Sequence, residues 1–198
     1  MPINYAPFVV GRPDETEAVE IGRVEQIAKD LLGELRRISD EIDRVHRWRA
    51  KSDDIQKLFF GWLADSYDIV TESTEGFEDT TVHRVRPDAQ ILLNLEGTRR
   101  ILVEVERGGA VTNGHDLKDM WKAHLSPLVQ HLFLVVPNSI NDEKGAPRSD
   151  QAFLRSTARL SSFFRDCRTE VDVLSVHVFG CGPERVRQAQ VETRLPQR

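Results

Sequence analysis

The chain has 198 residues, of which 39% are hydrophobic and 30% charged, with a net charge of −5. That length supports one domain with a substantial core and excludes two large ones. The acidic balance excludes a bulk electrostatic nucleic-acid binder, leaving local basic patches as the only route to such contacts, and no run approaches the ~20 apolar residues of a membrane helix.

Residues 1–13 hold three prolines and a glycine and read as an extended arm. Met1-Pro2-Ile3-Asn4-Tyr5 lacks the basic and apolar regions of a secretory leader, so a cytoplasmic location is expected. Cys167 and Cys181 are then free thiols. From Glu15 to Arg49 there is no proline, and Val24, Ile27, Leu31, Leu35, Ile38, Ile42 and Val45 recur in steps of three and four. That spacing predicts one long helix with a continuous apolar stripe. From Leu31 onward it approaches a heptad, so the stripe fits either the core or the seam of a homodimer. A second helix is predicted over Ser52–Asp65, capped by Ser52 or Asp53, with Ile55, Leu58, Phe59, Trp62 and Leu63 facing inward. Tyr67–Thr71 reads as a short strand, residues 72–79 as an acidic loop, and Thr80–Arg86 leads into a hairpin.

The hairpin runs from Pro87-Asp88 through Leu95, turns at Glu96-Gly97-Thr98-Arg99, and returns from Arg100 to Glu106. Side chains alternate faces along a strand. Folding about Gly97 pairs Ala89 with Val105, Ile91 with Val103 and Leu93 with Ile101, an apolar face. The opposite face then pairs Asp88 with Glu106, Gln90 with Glu104 and Leu92 with Leu102. Like charges on paired strands destabilise a sheet, so the acidic end of this face calls for a compensating cation.

The glycine-rich stretch 107–114 predicts a loop. A helix over His115–Leu125 is expected to bury Leu117, Met120, Trp121 and His124. His131–Pro137 is a continuous apolar run, as in a central strand covered on both faces. A helix over Gln151–Arg165, with Leu154, Ala158, Leu160, Phe163 and Phe164 as its apolar residues, precedes a strand over Val171–Phe179. The order predicts an α/β fold: a mixed central sheet with flanking helices, antiparallel at the hairpin and parallel beyond it, preceded by the long N-terminal helix. Residues 1–51 form the arm and helix, 52–182 the α/β domain, and 183–198 a tail.

Two basic groupings stand out: Arg44, Arg47, Arg49 and Lys51, and Arg84, Arg86, Arg99, Arg100 and Arg107. The histidines show no zinc-ligand spacing. The Gly108-Gly109 loop lacks the Lys-Ser/Thr of a phosphate-binding loop. Ser126 and Ser139 lack the glycines of a nucleophile elbow. Trp48, Trp62 and Trp121 are expected to pack rather than to stack on bases.

Pro87-Asp88, fifteen residues, and then Glu104-Val105-Glu106 on the next strand resemble the core of the PD-(D/E)XK, or restriction-endonuclease-like, nucleases. The resemblance spans roughly residues 52–137 and rests on the order of elements as well as on the motif. It implies a restriction-endonuclease-like fold and a Mg²⁺-dependent endonuclease that hydrolyses DNA, of the type II restriction kind or another defence or repair nuclease. Asp88 and Glu104 would be the metal ligands, with Mn²⁺ a possible substitute for Mg²⁺. Glu106 stands where the family carries lysine, as it does in some type II restriction enzymes, and would ligate a metal or accept a proton. Gln90 and Gln56 would support the carboxylates, and Lys118 or Lys122 would supply the missing cation. Arg86, Arg107, Arg47 and Arg49 are the candidate DNA contacts. The second reading is an inactive nuclease-fold protein that binds DNA or a protein partner.

Overall fold

The computed structural model describes residues 3–46, 51–77, 86–93, 99–107, 113–140, 144, 151–165 and 171–183. Within them the chain forms β1 (Asn4–Val9), α1 (Glu15–Arg37), α2 (Ser39–Val45), α3 (Ser52–Ser66), β2 (Ile69–Thr71), β3 (Ala89–Leu92), β4 (Arg100–Val105), α4 (His115–Leu125), β5 (Val129–Pro137), α5 (Ala152–Arg165) and β6 (Ser175–Cys181). The sheet order is β1-β6-β5-β4-β3-β2. Strands β4, β5 and β6 are parallel, and β1, β3 and β2 pair antiparallel to their neighbours. The α/β class and the mixed sheet agree with the sequence pattern.

Alternation along β3 and β4 divides the interior into two cores. Ala89, Ile91, Ile101, Val103 and Val105 pack beneath α1, α2 and α3, against Leu31, Leu35, Ile42, Phe59 and Leu63. Leu102 faces the other way, with Leu132 and Leu134, toward Met120 and Ala123 of α4 and Phe153 and Leu160 of α5. Both faces of β4 are therefore covered, and all six of its residues are buried. At roughly 25 cal/mol per Å² of apolar surface removed from water, these two layers are the main source of stability.

Asp14 and Glu17 start α1 with a reciprocal cap: the Glu17 N–H donates to Asp14 Oδ1 at 2.8 Å and the Asp14 N–H to Glu17 Oε2 at 2.9 Å. The single helix expected over 15–49 is broken at Ile38, where φ is −97° and ψ 16°. Ser39 and Asp40 follow the break, residue types whose side chains compete for backbone hydrogen bonds and weaken a helix interior. The apolar stripe lies in the protein's own core. A homodimer zipped through it would have to uncover Leu31, Leu35 and Ile42, each 0% exposed.

The N-terminal arm is a strand. Residues Asn4–Val9 pair with Gly180–Ser175 at the sheet edge, where Pro7 is tolerated because one side of an edge strand needs no N–H donor. The hairpin register also differs from the expected one. Ala89 pairs with Val103, Gln90 with Leu102, Ile91 with Ile101 and Leu92 with Arg100. The shift is two residues, which leaves every side chain on its face, so the apolar pattern alone does not separate the two registers.

One polar chain threads the first core. Arg99 Nη1 lies 2.8 Å from Glu20 Oε2, and Glu20 Oε1 lies 2.9 Å from His131 Nε2. His131 Nδ1 is 2.8 Å from Ser175 Oγ, which is 3.1 Å from His177 Nε2, and His177 Nδ1 is 2.7 Å from Tyr5 Oη. Burial holds His131 and His177 below the ordinary histidine pKa, the latter at about 3. With neutral rings and Glu20 an acceptor, one proton arrangement satisfies every link. Tyr5 donates to His177, His177 to Ser175, Ser175 to His131 and His131 to Glu20.

Candidate active site

Asp88 immediately precedes β3, and the register carries it opposite Glu104 rather than Glu106. Its Oδ2 accepts the Val105 N–H at 2.7 Å, and its carboxyl also pairs with the Gln56 side chain of α3. Burial raises the Asp88 pKa against these contacts. Glu104 is 2% exposed, and Lys122 Nζ of α4 approaches its Oε1 at 2.8 Å. The same ammonium lies 2.8 Å from Asp119 Oδ1. Glu106 turns to the start of α4, where His115 Nδ1 lies 3.0 Å from its Oε2.

Four carboxylates thus share one region with one lysine. Desolvation is the largest cause of the raised pKa at each of Asp88, Glu104, Glu106 and Asp119. For Glu104 the Asp119 charge adds to it, and for Asp119 the Glu106 and Asp88 charges do. The same carboxylates hold Lys122 firmly protonated. Ionised carboxylates are costly in low dielectric unless paired or bound to a cation. One ammonium offsets part of this charge.

The fit to a divalent ion has two sides. Oxygen donors of this kind suit a hard cation such as Mg²⁺, and Asp119 Oδ2 is buried without a hydrogen-bond partner. Yet among the described residues no three or more Asp, Glu, His or Cys side chains are arranged as a closed metal-holding group. Lys122 accounts for part of this by standing between Glu104 and Asp119, and His115 draws on Glu106. The donor chemistry fits, and holding an ion would require the ammonium to give way.

The remaining expected residues separate. Gln56 is at Asp88. Gln90 is not at Glu104, because the two-residue shift sets it opposite Leu102. There it accepts from Arg100 Nη1 at 3.2 Å and donates to the carbonyls of Ser73 and Glu75, each at 3.3 Å, pinning the 72–77 loop. Lys118 is exposed, and Lys122 is the lysine that reaches the carboxylates. Arg86 is exposed, whereas Arg107 is partly buried, with Asp54 and His46 in its electrostatic surroundings. Arg99 and Arg100 are spent on Glu20 and Glu75, so the second basic grouping is not one patch. Arg47, Arg49, Trp48, Arg84 and Cys167 lie outside the described residues. Cys181 is a buried free thiol, its pKa pushed to about 12 by burial.

Helix α4 buries Asp116, Asp119, Met120 and Ala123, so of the expected Leu117, Met120, Trp121 and His124 only Met120 is buried. Trp121 is 51% exposed. Polar partners allow this rotation: Asp116 meets Arg159 at 3.1 Å, and Asp119 meets Lys122. Sequence reasoning missed His115, which meets Glu106, and Asp119. Its only sequence signal is an Asp-x-x-Lys pair on one helix face, a common surface pattern.

No family model matches the sequence, and no curated protein matches it. Among the described residues no helix is long and apolar enough to cross a membrane.

Proposed function

We propose that the protein is a Mg²⁺-dependent endonuclease acting on DNA, with a restriction-endonuclease-like fold. The observation that carries this reading is the buried excess of carboxylate over cation where Asp88, Glu104, Glu106 and Asp119 share Lys122. Such a charge excess suits a polyanionic substrate only with a divalent ion between them. When bound, Mg²⁺ supplies charge neutralisation at the scissile phosphate and makes water more acidic. Asp88 and Glu104 hold the ion. Asp88 is oriented for this by the Val105 N–H and by Gln56. Glu106, its basicity raised by burial, accepts a proton from the attacking water, and His115 at 3.0 Å is placed to carry it onward. Lys122 takes the place of the family lysine, donating to the phosphate once released from Glu104. Exposed Arg86 is the DNA-backbone contact nearest to Asp88 in sequence.

A second reading, a DNA-binding relative without catalysis, is favoured by one feature: Lys122 already bridges Glu104 and Asp119. Supercoiled-plasmid cleavage separates the two. In Mg²⁺ or Mn²⁺ the wild type is expected to nick the plasmid, and Asp88→Ala and Glu104→Ala to lose nicking by at least roughly 100-fold, since losing even an outer-shell partner of a metal costs about 10–100-fold. Absence of nicking in either metal, or equal nicking by both variants, excludes the enzyme. Retained mobility shift of DNA in that case supports the binding module.

A further inference from the structure

Asp119 stands apart from the other acids of the site. It is 1% exposed, on a helix that also buries Asp116, Met120 and Ala123, and Asp116 is matched by Arg159. Its Oδ1 meets Lys122 Nζ at 2.8 Å, and its Oδ2 is buried with nothing to accept from. Native interiors rarely keep a charged acceptor in that condition without a use for it. Glu104 Oε1 and Asp119 Oδ1 share the Lys122 ammonium at 2.8 Å each, which ties Asp119 to this cluster.

We propose that Asp119 Oδ2 is a further ligand oxygen of the divalent-cation site, supplied by α4 alongside Asp88 and Glu104. The proposal rests on the reading of the site as a metal centre. A hard cation with six oxygen positions accommodates a third carboxylate and still keeps waters. In the structure the Lys122 ammonium satisfies Glu104 and one oxygen of Asp119. Metal binding exchanges one cation for another at the same pair of carboxylates. Asp119 thereby couples α4 to the β3–β4 strands through the ion, and the leftover oxygen has its partner.

Isothermal titration of the full chain with Mn²⁺ tests this without reference to cleavage. The wild type is expected to bind and Asp88→Asn to lose binding, which checks the metal reading itself. Asp119→Asn, close in shape, is expected to weaken binding by roughly 10–100-fold. The same loss is expected in a Lys122→Met background, where Asp119 has no ammonium to hold. Unchanged affinity in Asp119→Asn, or a loss that disappears with Lys122→Met, overturns the proposal while binding that depends on Asp88 leaves the metal reading intact. No binding by the wild type overturns both. Anomalous scattering from wild-type crystals soaked in Mn²⁺ needs no variant. A peak bonded to Asp119 Oδ2 supports the assignment, and an ion bonded to Asp88 but not to Asp119 refutes it.

Discussion

Glu104 shows how a functional residue burdens the fold that carries it. Burial and the Asp119 charge raise its pKa, so the folded protein holds a proton that the unfolded chain releases near 4.5. Between that value and the raised folded pKa the native state binds the extra proton, and the contribution of Glu104 to stability therefore falls as pH rises above about 4.5, at up to ~1.4 kcal/mol per pH unit. Glu104→Gln keeps the shape and removes the titration. Thermal unfolding followed by circular dichroism from roughly pH 5 to roughly pH 9 is expected to show a flatter decline and a higher melting point than wild type at the alkaline end. Equal slopes would mean that Glu104 is ionised in the fold throughout. At this scale the sequence was legible where an acid borders or interrupts an apolar strand, as Asp88 and Glu104 do. Asp119 was not legible, and Lys122 was not separable from Lys118, because which way a charged helix residue faces is decided by partners far along the chain.

Among the elements, apolar periodicity found α3, α4 and β5 with their bounds nearly right. It failed where geometry rather than hydrophobicity decides. The arm carrying Pro7 became β1 because an edge position forgives a missing donor, and the hairpin slipped by two because both registers bury the same face. The stripe of α1 was ambiguous for a related reason: a core face and a dimer seam want the same residues. Leu35 distinguishes them. It is 0% exposed in the single chain, so Leu35→Ala is expected to cost about 2–5 kcal/mol in denaturant unfolding. That loss should not depend on protein concentration. A concentration-dependent midpoint would return the stripe to a partner chain.

Across the whole molecule, histidines govern the acid limb. Burial holds His46 at about 4 and His177 at about 3, against 6.5 in the unfolded chain, and His131 is shifted the same way. For these groups unfolding takes up protons below about pH 6.5, so their contribution to stability falls as pH drops from about 6.5 toward 4, by up to ~1.4 kcal/mol per unit for each histidine and against the opposite trend of Glu104. His177→Gln should shallow this limb in urea titrations at several pH values; an unchanged limb would assign acid sensitivity to the carboxylates instead. The polar chain from Tyr5 to Glu20 adds a condition to these titrations. A proton placed on His131 turns its Nδ1 into a donor and strands the hydrogen of the Ser175 hydroxyl. Relief comes only if His177 changes tautomer and Tyr5 swings its own hydrogen away. The edge strand at one border of the sheet and the first turns of α1 are therefore joined by one relay of hydrogens, so that a proton taken up at His131 is felt as far away as Tyr5.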